Sequence, residues 1–403
     1  MVAASSSSGE LKLTTLPREI LLQIFDNLRP GHVARLRLVC RIFNDTIDDD
    51  RYWLTRIQRT LGAKLPVAET RCENFHPNKL MDGIYFESER WSNVNDEDKF
   101  ITDGAISHYA SVDAVQLFRN SSRRKFCLSG ARDRALKLFD LAAMRESPED
   151  KDAWLVAGKE AAHEGWIWSV DTTNCGAQVL SGSWDSTISL WDLGERAFER
   201  ISTAKHVPDG AVTGVLIDDN VAICSKFHSY ITVNDLRDGL KTIARSKVHT
   251  GSITAIAKKG SLIYSYGVDK KLKVTDRRNL AKPLMTLSVP ASLNMSLGQG
   301  LAYISTSSGF VYAIRADDLS FSHKFKAVAT GRPVRQVIKT SGSILALTQL
   351  NGLKAFTLAS TPVEFYTSEK FHCEPCRFDY LDGDVVVGCG DGSVAFWQCP
   401  AAL

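Results

Sequence analysis

Three side chains that together can carry out nucleophilic catalysis lie close to one another in the sequence. His163, Ser169 and Asp185 fall within 23 residues, and a serine activated by a histidine that a carboxylate orients is the arrangement of serine hydrolases. The same region contains "GSWDSTISLWDL" from Gly182 to Leu193. This stretch is a polar turn followed by alternating apolar residues, which predicts a β-strand after a turn. The residues therefore belong either to a catalytic site or to a repeated structural unit.

The turn-and-strand pattern recurs along the chain. Each copy has a turn residue and, six places later, a residue in the strand that follows; these pairs are Asp133 and Phe139, Asp185 and Trp191, His228 and Asn234, Asp269 and Thr275, Ser308 and Ile314, Asn351 and Thr357, and Asp391 and Trp397. The intervals between successive turn residues are 52, 43, 41, 39, 43 and 40 residues. A period near 40 with several short strands per unit is typical of a β-propeller. Seven copies predict seven blades.

The copies resemble WD repeats. The best match is the copy in which His163, Ser169, Asp185 and Trp191 stand at the positions of the buried structural tetrad of that family. The copy with His249 and Asp269 keeps two members and has Ala255 at the serine position, and the fifth and sixth copies keep neither the histidine nor the aspartate. The resemblance implies an all-β, seven-bladed WD-repeat propeller.

The repeat explains the serine, histidine and aspartate without catalysis. A serine nucleophile needs an exposed position on a strained turn and an oxyanion hole, and no G-x-S-x-G motif occurs in the chain. A buried hydrogen-bonded network is worth keeping because each unpaired buried polar group costs about 1–3 kcal/mol. We therefore expect Asp185 to be structural.

The last copy is one strand short. The chain ends four residues after Cys399, which leaves no room for a fourth strand. We expect the missing strand to come from upstream of the first copy, from Phe100 to His108, since pairing there closes the ring and removes the exposed edges.

The N-terminal region has a helical period instead. Ile20, Ile24 and Leu28 recur every four residues, Pro17 suits the first turn of a helix and "RPG" at 29–31 suits its end. A second apolar helical stripe follows at Leu36, Val39, Cys40 and Phe43. A unit of about 45 residues buries too little surface to be stable alone. We expect its apolar faces to be covered by a partner or by the propeller.

This region resembles an F-box. The matching positions are Leu16, Pro17, Glu19, Ile20, Leu21, Ile24, Leu28, Leu36, Val39, Cys40, Phe43 and Trp53, with Phe43 in place of the commoner tryptophan. The resemblance implies binding of a Skp-type adaptor by Leu16, Pro17, Ile20, Leu21, Ile24, Leu28, Val39, Cys40 and Phe43. The expected domains are a disordered N-terminus at 1–10, an F-box at 11–60, a structured linker at 61–99 and the propeller at 100–403.

An F-box followed by WD repeats is the architecture of substrate receptors in cullin–RING ubiquitin ligases. The resemblance therefore implies a non-catalytic subunit that needs no cofactor and holds a substrate protein near the ubiquitin-loading enzyme. The alternative is a WD-repeat scaffold whose F-box-like helices serve only packing or bind another partner.

The predicted substrate surface lies at one end of the propeller. Residues beside the turn aspartates and early in the inner strands point there in the family, and here they are Arg132, Arg134, Trp166, Trp168, Trp184, Phe227, Arg335 and Arg377. Arginine and tryptophan are the residues most enriched in binding hot spots. Since arginines bind phosphate and carboxylate groups strongly, this arc predicts an acidic or phosphorylated substrate segment. The competing interpretation is that the arginines are solvated and the tryptophans pack between blades.

The composition excludes several other classes of function. The chain has 49 basic and 46 acidic residues and a net charge of +3, which argues against nucleic-acid or membrane-surface binding. Its N-terminus lacks the features of a signal peptide, and nine scattered cysteines indicate reduced thiols. We therefore expect an intracellular protein, cytoplasmic or nuclear. "HCEPC" at 372–376 offers too few ligands for a zinc site, so we expect ordinary core cysteines and no metal.

Overall fold

The computed structural model describes residues 13–399, except 73, 95–98, 195–196, 330, 350–351, 369–370 and 372. The predicted disordered segment 1–10, the turn residue Asn351 and His372 of the "HCEPC" motif therefore lie outside the described residues. The described chain consists of N-terminal helices followed by a seven-bladed β-propeller, which confirms the predicted fold class. None of its helices combines the length and apolar character that a membrane crossing requires.

The N-terminal region forms six helices. Their bounds are α1 Arg18–Asp26, α2 Pro30–Leu36, α3 Arg41–Ile47, α4 Asp50–Leu61, α5 Val67–Thr70 and α6 Pro77–Ser92. The sequence prediction was wrong about two boundaries. Pro17 precedes α1 as its N-cap, and Pro30 of the "RPG" turn begins α2 instead of ending α1. The second predicted stripe is divided between α2 and α3, because the chain leaves the helix between Leu36 and Arg41.

The first four helices pack around aromatic side chains. Phe25 of α1 meets Phe43 of α3 edge to face, with ring centroids 5.3 Å apart. The indole Nε1 of Trp53 donates to the carbonyl of Ile47 at 2.8 Å. The guanidinium of Arg56, buried on α4, donates to the carbonyls of Phe25, Asp26 and Leu28, so it satisfies the acceptors that the end of α1 leaves without helical partners.

The propeller consists of seven antiparallel sheets, each with four strands. Blades 1 to 3 are β2 Val112–Arg119, β3 Lys125–Ala131, β4 Leu136–Asp140 and β5 Leu155–Lys159; β6 Ile167–Thr172, β7 Gln178–Ser183, β8 Thr187–Leu193 and β9 Phe198–Lys205; and β10 Val212–Asp218, β11 Val221–Lys226, β12 Tyr230–Asp235 and β13 Lys241–Lys247. Blades 4 to 6 are β14 Ile253–Lys259, β15 Leu262–Gly267, β16 Lys271–Asp276 and β17 Met285–Ser288; β18 Ser292–Leu297, β19 Leu301–Thr306, β20 Phe310–Arg315 and β21 Phe321–Lys326; and β22 Val334–Lys339, β23 Ser343–Thr348, β24 Gly352–Thr357 and β25 Glu364–Thr367. The degenerate fifth and sixth copies therefore form regular blades.

Blade 7 closes the ring with a strand from before blade 1. It comprises β26 Pro375–Leu381, β27 Asp384–Cys389, β28 Val394–Trp397 and β1 Lys99–Ile101. Phe100 pairs with Phe396 in the β1–β28 register. The closing strand thus lies at the start of the predicted stretch, and the residues after Thr102 form a short 3-10 turn instead of continuing it. The long first interval of the repeat has a local cause, since the helix α7 Leu141–Glu146 lies between β4 and β5.

The helices pack on one end of the propeller. A single hydrophobic cluster contains side chains from α1 to α4 and from blades 5 and 6, among them Phe25, Ile47, Tyr303 and Val337. Helix α6, in the segment predicted as a linker, lies against the β22–β23 turn. A Cβ on Gly83 would come within 2.7 Å of the carbonyl oxygen of Ser341, so only glycine allows this approach.

A buried polar group fixes the same helix to blades 6 and 7. The Glu87 carboxylate accepts hydrogen bonds from Trp91 Nε1 at 2.8 Å, from the Tyr380 hydroxyl at 2.5 Å and from Ser343 Oγ at 3.4 Å. Arg90, also buried, donates through Nε to the carbonyl of Gly383 in the β26–β27 turn at 2.8 Å. The helices are therefore attached to the turns that join the first and second strands of blades 6 and 7.

Candidate functional site

The tetrad that was predicted as His163, Ser169, Asp185 and Trp191 contains a different serine. His163 Nε2 lies 2.7 Å from Ser181 Oγ, and Trp191 Nε1 donates to the same oxygen at 2.7 Å. The prediction of Ser169 was wrong because β6 is the inner strand, whereas the histidine and tryptophan meet over β7, the neighbour of β8. The fourth copy likewise uses Ser265, 2.9 Å from His249 Nε2, and not the position of Ala255.

The remaining tetrad contacts hold the turn of blade 2. Thr187 Oγ1 lies 2.7 Å from His163 Nδ1 and donates to the Asp185 carboxylate at 2.5 Å, and that carboxylate lies 3.5 Å from His163. Burial alone would raise the pKa of the Asp185 carboxyl, but the contacts with His163 and Thr187 outweigh it and hold this pKa well below its usual range. Since Ser181 is fully buried, no substrate reaches this serine, and the group is structural.

Ser169 has another role, in the joint between blades. Its hydroxyl accepts a hydrogen bond from the backbone N–H of Val215 in β10 at 3.1 Å, and Asp171 accepts one from Ile217 at 2.6 Å. Asp379 of blade 7 accepts one in the same way from Leu117 of blade 1 at 2.7 Å. Polar side chains of one inner strand thus bind the backbone of the next around the central channel.

The predicted adaptor-binding residues divide into exposed and buried sets. Leu16 and Cys40 are half-buried, whereas Pro17, Ile20, Ile24, Leu28 and Val39 are exposed. Leu21 and Phe43 are only 1% and 5% exposed, so the prediction that they contact a partner directly is wrong. Their side chains pack in the hydrophobic cluster that the helices share with blades 5 and 6.

Two exposed apolar residues between Leu36 and Phe43 were missed. Leu38 is 90% exposed in the turn between α2 and α3, and Ile42 is 46% exposed in the first turn of α3. The sequence contained no periodic signal for Leu38, because it lies in a turn. We call Ile20, Ile24 and Leu28 of the α1 side, together with Leu38, Val39 and Ile42 of the α2–α3 turn, the helical face. These six large apolar side chains are each at least 36% exposed, whereas neighbouring side chains such as Leu21 and Phe43 are buried.

Six of the eight predicted substrate residues line a cavity of about 510 Å³ at the end of the central channel. We call this cavity the mouth; its lining includes Asp113, Arg132, Trp168, Trp184, Phe227, Leu293, Arg335, Glu374 and Arg377. Trp166 does not line it but contacts Trp184, with ring centroids 5.7 Å apart. Arg134 is exposed at a turn position with φ of 72° and lies outside the lining. The structure thus brings together all the predicted residues except Arg134.

The aromatic side of the mouth is continuous. The Trp184 ring lies 5.5 Å from that of Trp168 and 5.8 Å from that of Phe227. The Arg132 guanidinium lies over Trp166 and Trp168, at 4.9 and 5.7 Å from the ring centroids. This cation–π stacking holds Arg132 in place and covers one face of the tryptophans.

The charged side of the mouth contains two carboxylates, Asp113 and Glu374, that were not predicted from the sequence. Arg132 Nε donates to Asp113 at 2.7 Å, and Arg335 donates to Glu374. The hydrogen bond from Arg132 raises its pKa, whereas burial lowers the pKa of Arg377. Three arginines against two carboxylates leave the lining with an excess of one positive charge. No spacing in the sequence predicts these pairs, because each joins residues that are far apart in the chain or on different strands.

The helices and the mouth lie at opposite ends of the propeller. The helices contact turns between first and second strands, such as the one at Ser341, whereas Trp184 and Phe227 stand in or before turns between second and third strands. In an antiparallel sheet these two kinds of turn are at opposite ends of the strands. A partner on the helical face and a ligand in the mouth would therefore not compete for space.

The "HCEPC" cysteines are separated by the fold. Cys376 Sγ lies 3.2 Å from Ser111 Oγ, while Cys373 lies beside Cys389 and Asp391, with the possible ligand atoms of these three residues within 4.8 Å of one another. The sequence placed Cys373 with Cys376 only because they are neighbours in the chain.

Known families match one part of the helical region and one part of the propeller. A family described as F-box-like matches residues 13–59, and a family described as WD domain, G-beta repeat matches residues 157–192. The chain is 28% identical over 396 residues to F-box/WD repeat-containing protein mec-15 of Caenorhabditis elegans, covering 96% of each chain. It is 27% identical to F-box/WD repeat-containing protein 9 of Homo sapiens, covering 98% of this chain and 84% of that one.

Solved structures support the fold alone. A chain of the crystal structure titled Mitotic Checkpoint Complex superposes with a TM-score of 0.60 at 13% identity, covering 74% of this chain and 93% of that one. The WD40 β-propeller domain of Doa1 superposes with a TM-score of 0.59 at 16% identity, covering 74% and 95%.

Proposed function

We propose that this F-box/WD-repeat protein is the substrate-binding subunit of a Skp–cullin–F-box ubiquitin ligase. In this proposal the helical face binds a Skp-type adaptor and, through it, a cullin–RING core, while the mouth binds a substrate protein. The chain itself would not be a catalyst. Its contribution would be proximity, because holding a substrate near the ubiquitin-loading enzyme makes the transfer effectively intramolecular.

The observation that carries the proposal is the exposure of the helical face. The helices do pack on blades 5 and 6, as the scaffold alternative requires. Packing does not account for Leu38 and Val39, which remain 90% and 65% exposed. Clustered exposed apolar side chains mark interaction sites, and these lie in the segment that the F-box-like family matches.

Adaptor binding can be tested with charges placed on that face. We expect Leu38→Glu combined with Val39→Glu to abolish co-purification of adaptor and cullin from cells, because carboxylates would be desolvated in the interface. Both positions are exposed, so the fold should remain intact. Val363→Glu is a matched control, since Val363 is 58% exposed on the propeller. Unchanged recovery of adaptor by the double variant would contradict the proposal.

The mouth supports an amphipathic ligand. Trp184, Phe227 and Leu293 offer an apolar side, and the arginines with their carboxylates offer a charged side with one excess positive charge. We infer a substrate segment that places an apolar side chain against the tryptophans and a single carboxylate or phosphate near Arg335 and Arg377. Because Arg132 and Arg335 already have carboxylate partners, we expect a modest dependence on salt.

Substrate binding can be tested by paired quantitative pull-downs. We expect Trp184→Ala and Arg132→Ala to lose the same interactors while recovery of adaptor stays unchanged. Arg237→Ala is the control for the arginine, because Arg237 also pairs with an aspartate, Asp235, but lies away from the mouth. Phosphatase treatment of the lysate distinguishes phosphate from carboxylate. Retention of every interactor by both mouth variants would exclude this surface.

A further inference from the structure

Blade 7 brings together two thiols and a carboxylate that the proposed function does not use. Cys373 lies just before β26, Cys389 ends β27 and Asp391 stands in the turn before β28. Their two sulfur atoms and a carboxylate oxygen lie within 4.8 Å of one another. In blades 1, 2 and 4 the corresponding segment supplies a histidine beside the turn aspartate, as in His249 with Asp269 at 3.0 Å. In blade 7, Cys373 of that segment lies beside the turn aspartate, Asp391.

We propose that Cys373, Cys389 and Asp391 form a zinc-binding site. Thiolates select soft or borderline metals over Mg²⁺ and Ca²⁺, and a carboxylate as third ligand is common for Zn²⁺. Tetrahedral coordination at ordinary Zn–S and Zn–O lengths places ligand atoms about 3.5–3.8 Å apart. The two sulfur atoms and the carboxylate oxygen, which lie within 4.8 Å of one another, need only a small movement to reach those separations.

The surroundings of the three residues suit a metal. Asp391 accepts hydrogen bonds from the backbone N–H and the hydroxyl of Ser393, at 3.0 and 2.7 Å, and such partners orient a ligating carboxylate. Cys389 is buried and Cys373 half-buried, while Asp391 is exposed, so water or an incoming group can take the fourth position. Glu374, Cys376 and Gly390, neighbours of these ligands in the chain, line the mouth, so the metal would stiffen its rim.

The test uses the full chain, reduced, stripped of metal and titrated with Co²⁺ and then Zn²⁺. We expect one equivalent of Co²⁺ with a thiolate-to-cobalt charge-transfer band that Zn²⁺ abolishes. Cys373→Ser should remove the band and the equivalent of metal, and Asp391→Asn should weaken binding about tenfold or more. Cys376→Ser and Cys175→Ser are matched controls, a neighbouring thiol and an exposed thiol in blade 2, and both should bind as the parent does.

Several results would overturn the proposal. These are a missing thiolate band in the parent chain, a band that persists in Cys373→Ser, and a disulfide between Cys373 and Cys389 that forms on treatment with peroxide in a chain that takes up no metal. Cys373→Ser and Asp391→Asn, at partly exposed positions, decide the question, with circular dichroism confirming that each is folded.

Discussion

At the scale of residues, the tetrads show what a single sequence reveals and what it conceals. The repeated turn aspartates located the histidine and tryptophan of blade 2, but the serine was placed on the wrong strand. A usable signal was present, because Ser129, Ser181 and Ser265 all stand four residues before a turn aspartate. Each lies within 2.9 Å of the tetrad histidine of its blade. Which serine contacts the histidine depends on how the strands pair. The number of residues between the histidine and a serine does not encode that pairing.

The two serines of blade 2 should differ in their effect on stability. Ser181→Ala removes the shared partner of His163 Nε2 and Trp191 Nε1 inside the core, so we expect a loss of about 1–3 kcal/mol in the free energy of unfolding. Ser169→Ala removes one longer hydrogen bond, to Val215, from a half-buried position and should cost less. Urea denaturation of the two variants and the parent measures both losses in the free energy of unfolding. A larger loss for Ser169→Ala would contradict the assignment of the tetrad.

The Asp185 carboxyl gives blade 2 a defined dependence on acid. Burial opposes its ionisation, yet contacts with His163 and Thr187 lower its pKa in the folded state below the value of about 3.9 for an unfolded chain. Its contribution to stability is therefore complete above about pH 5 and is lost as the pH falls through the unfolded and then the folded pKa. Asp185→Asn should be less stable than the parent at neutral pH, and the difference should narrow below about pH 5. If the urea midpoints of the parent and of Asp185→Asn differ by the same amount at every pH, the ionised Asp185 carboxyl is not specially stabilised.

At the scale of elements, the strands were predictable and helix α6 was not. The turn residues repeat at nearly constant intervals, and alternation marks each strand, so the blades and the origin of the closing strand followed from the sequence. Helix α6 buries Glu87 and Arg90. Because these charged residues lie on its buried face, they interrupt the repeat of apolar residues by which a helix is recognised in a sequence. Its hydrogen-bond partners, such as Tyr380, lie almost 300 residues later and could not be inferred from local pattern.

The contact of α6 with the propeller can be tested at Gly83. In a free helix Gly→Ala would stabilise by about 1 kcal/mol. Here a Cβ would lie 2.7 Å from the Ser341 carbonyl oxygen, so Gly83→Ala should instead lower the thermal midpoint of the full chain. Gly158→Ala on β5 is the control, because a Cβ there meets nothing within 4 Å. If Gly83→Ala raises the midpoint, α6 does not pack on this turn in solution.

At the scale of the whole molecule, the helices and the propeller share one core and form one rigid unit. They share the hydrophobic cluster that joins Phe25 and Ile47 to Tyr303 and Val337, and Glu87 and Arg90 add buried hydrogen bonds to blades 6 and 7. The helices attach to the end of the propeller opposite the mouth. Two partners held at its ends would therefore keep a fixed separation, which is what positioning a substrate requires.

The core that the helices share with the propeller predicts how far stabilisation by a bound adaptor would extend into the blades. A ligand that binds only the folded helices stabilises them by about 2.7 kcal/mol at a hundredfold excess over its dissociation constant. Because the helices complete the core of blades 5 and 6, amide hydrogen exchange should slow in β19, β22 and β23 as well as in α1 to α4. Exchange in β7 and β11, on blades 2 and 3, should change less.

The control is the same measurement on Gly83→Ala, in which the attachment through α6 is weakened. We expect the adaptor to protect α1 to α4 of this variant as in the parent, while the protection of β22 and β23 diminishes, because α6 meets blade 6 at the turn between those strands. Mass spectrometry of peptic fragments resolves the blades separately. Protection that ends near Leu61 in the parent chain would mean that the helices move independently of the propeller, and that the distance between the helical face and the mouth is not fixed by the fold.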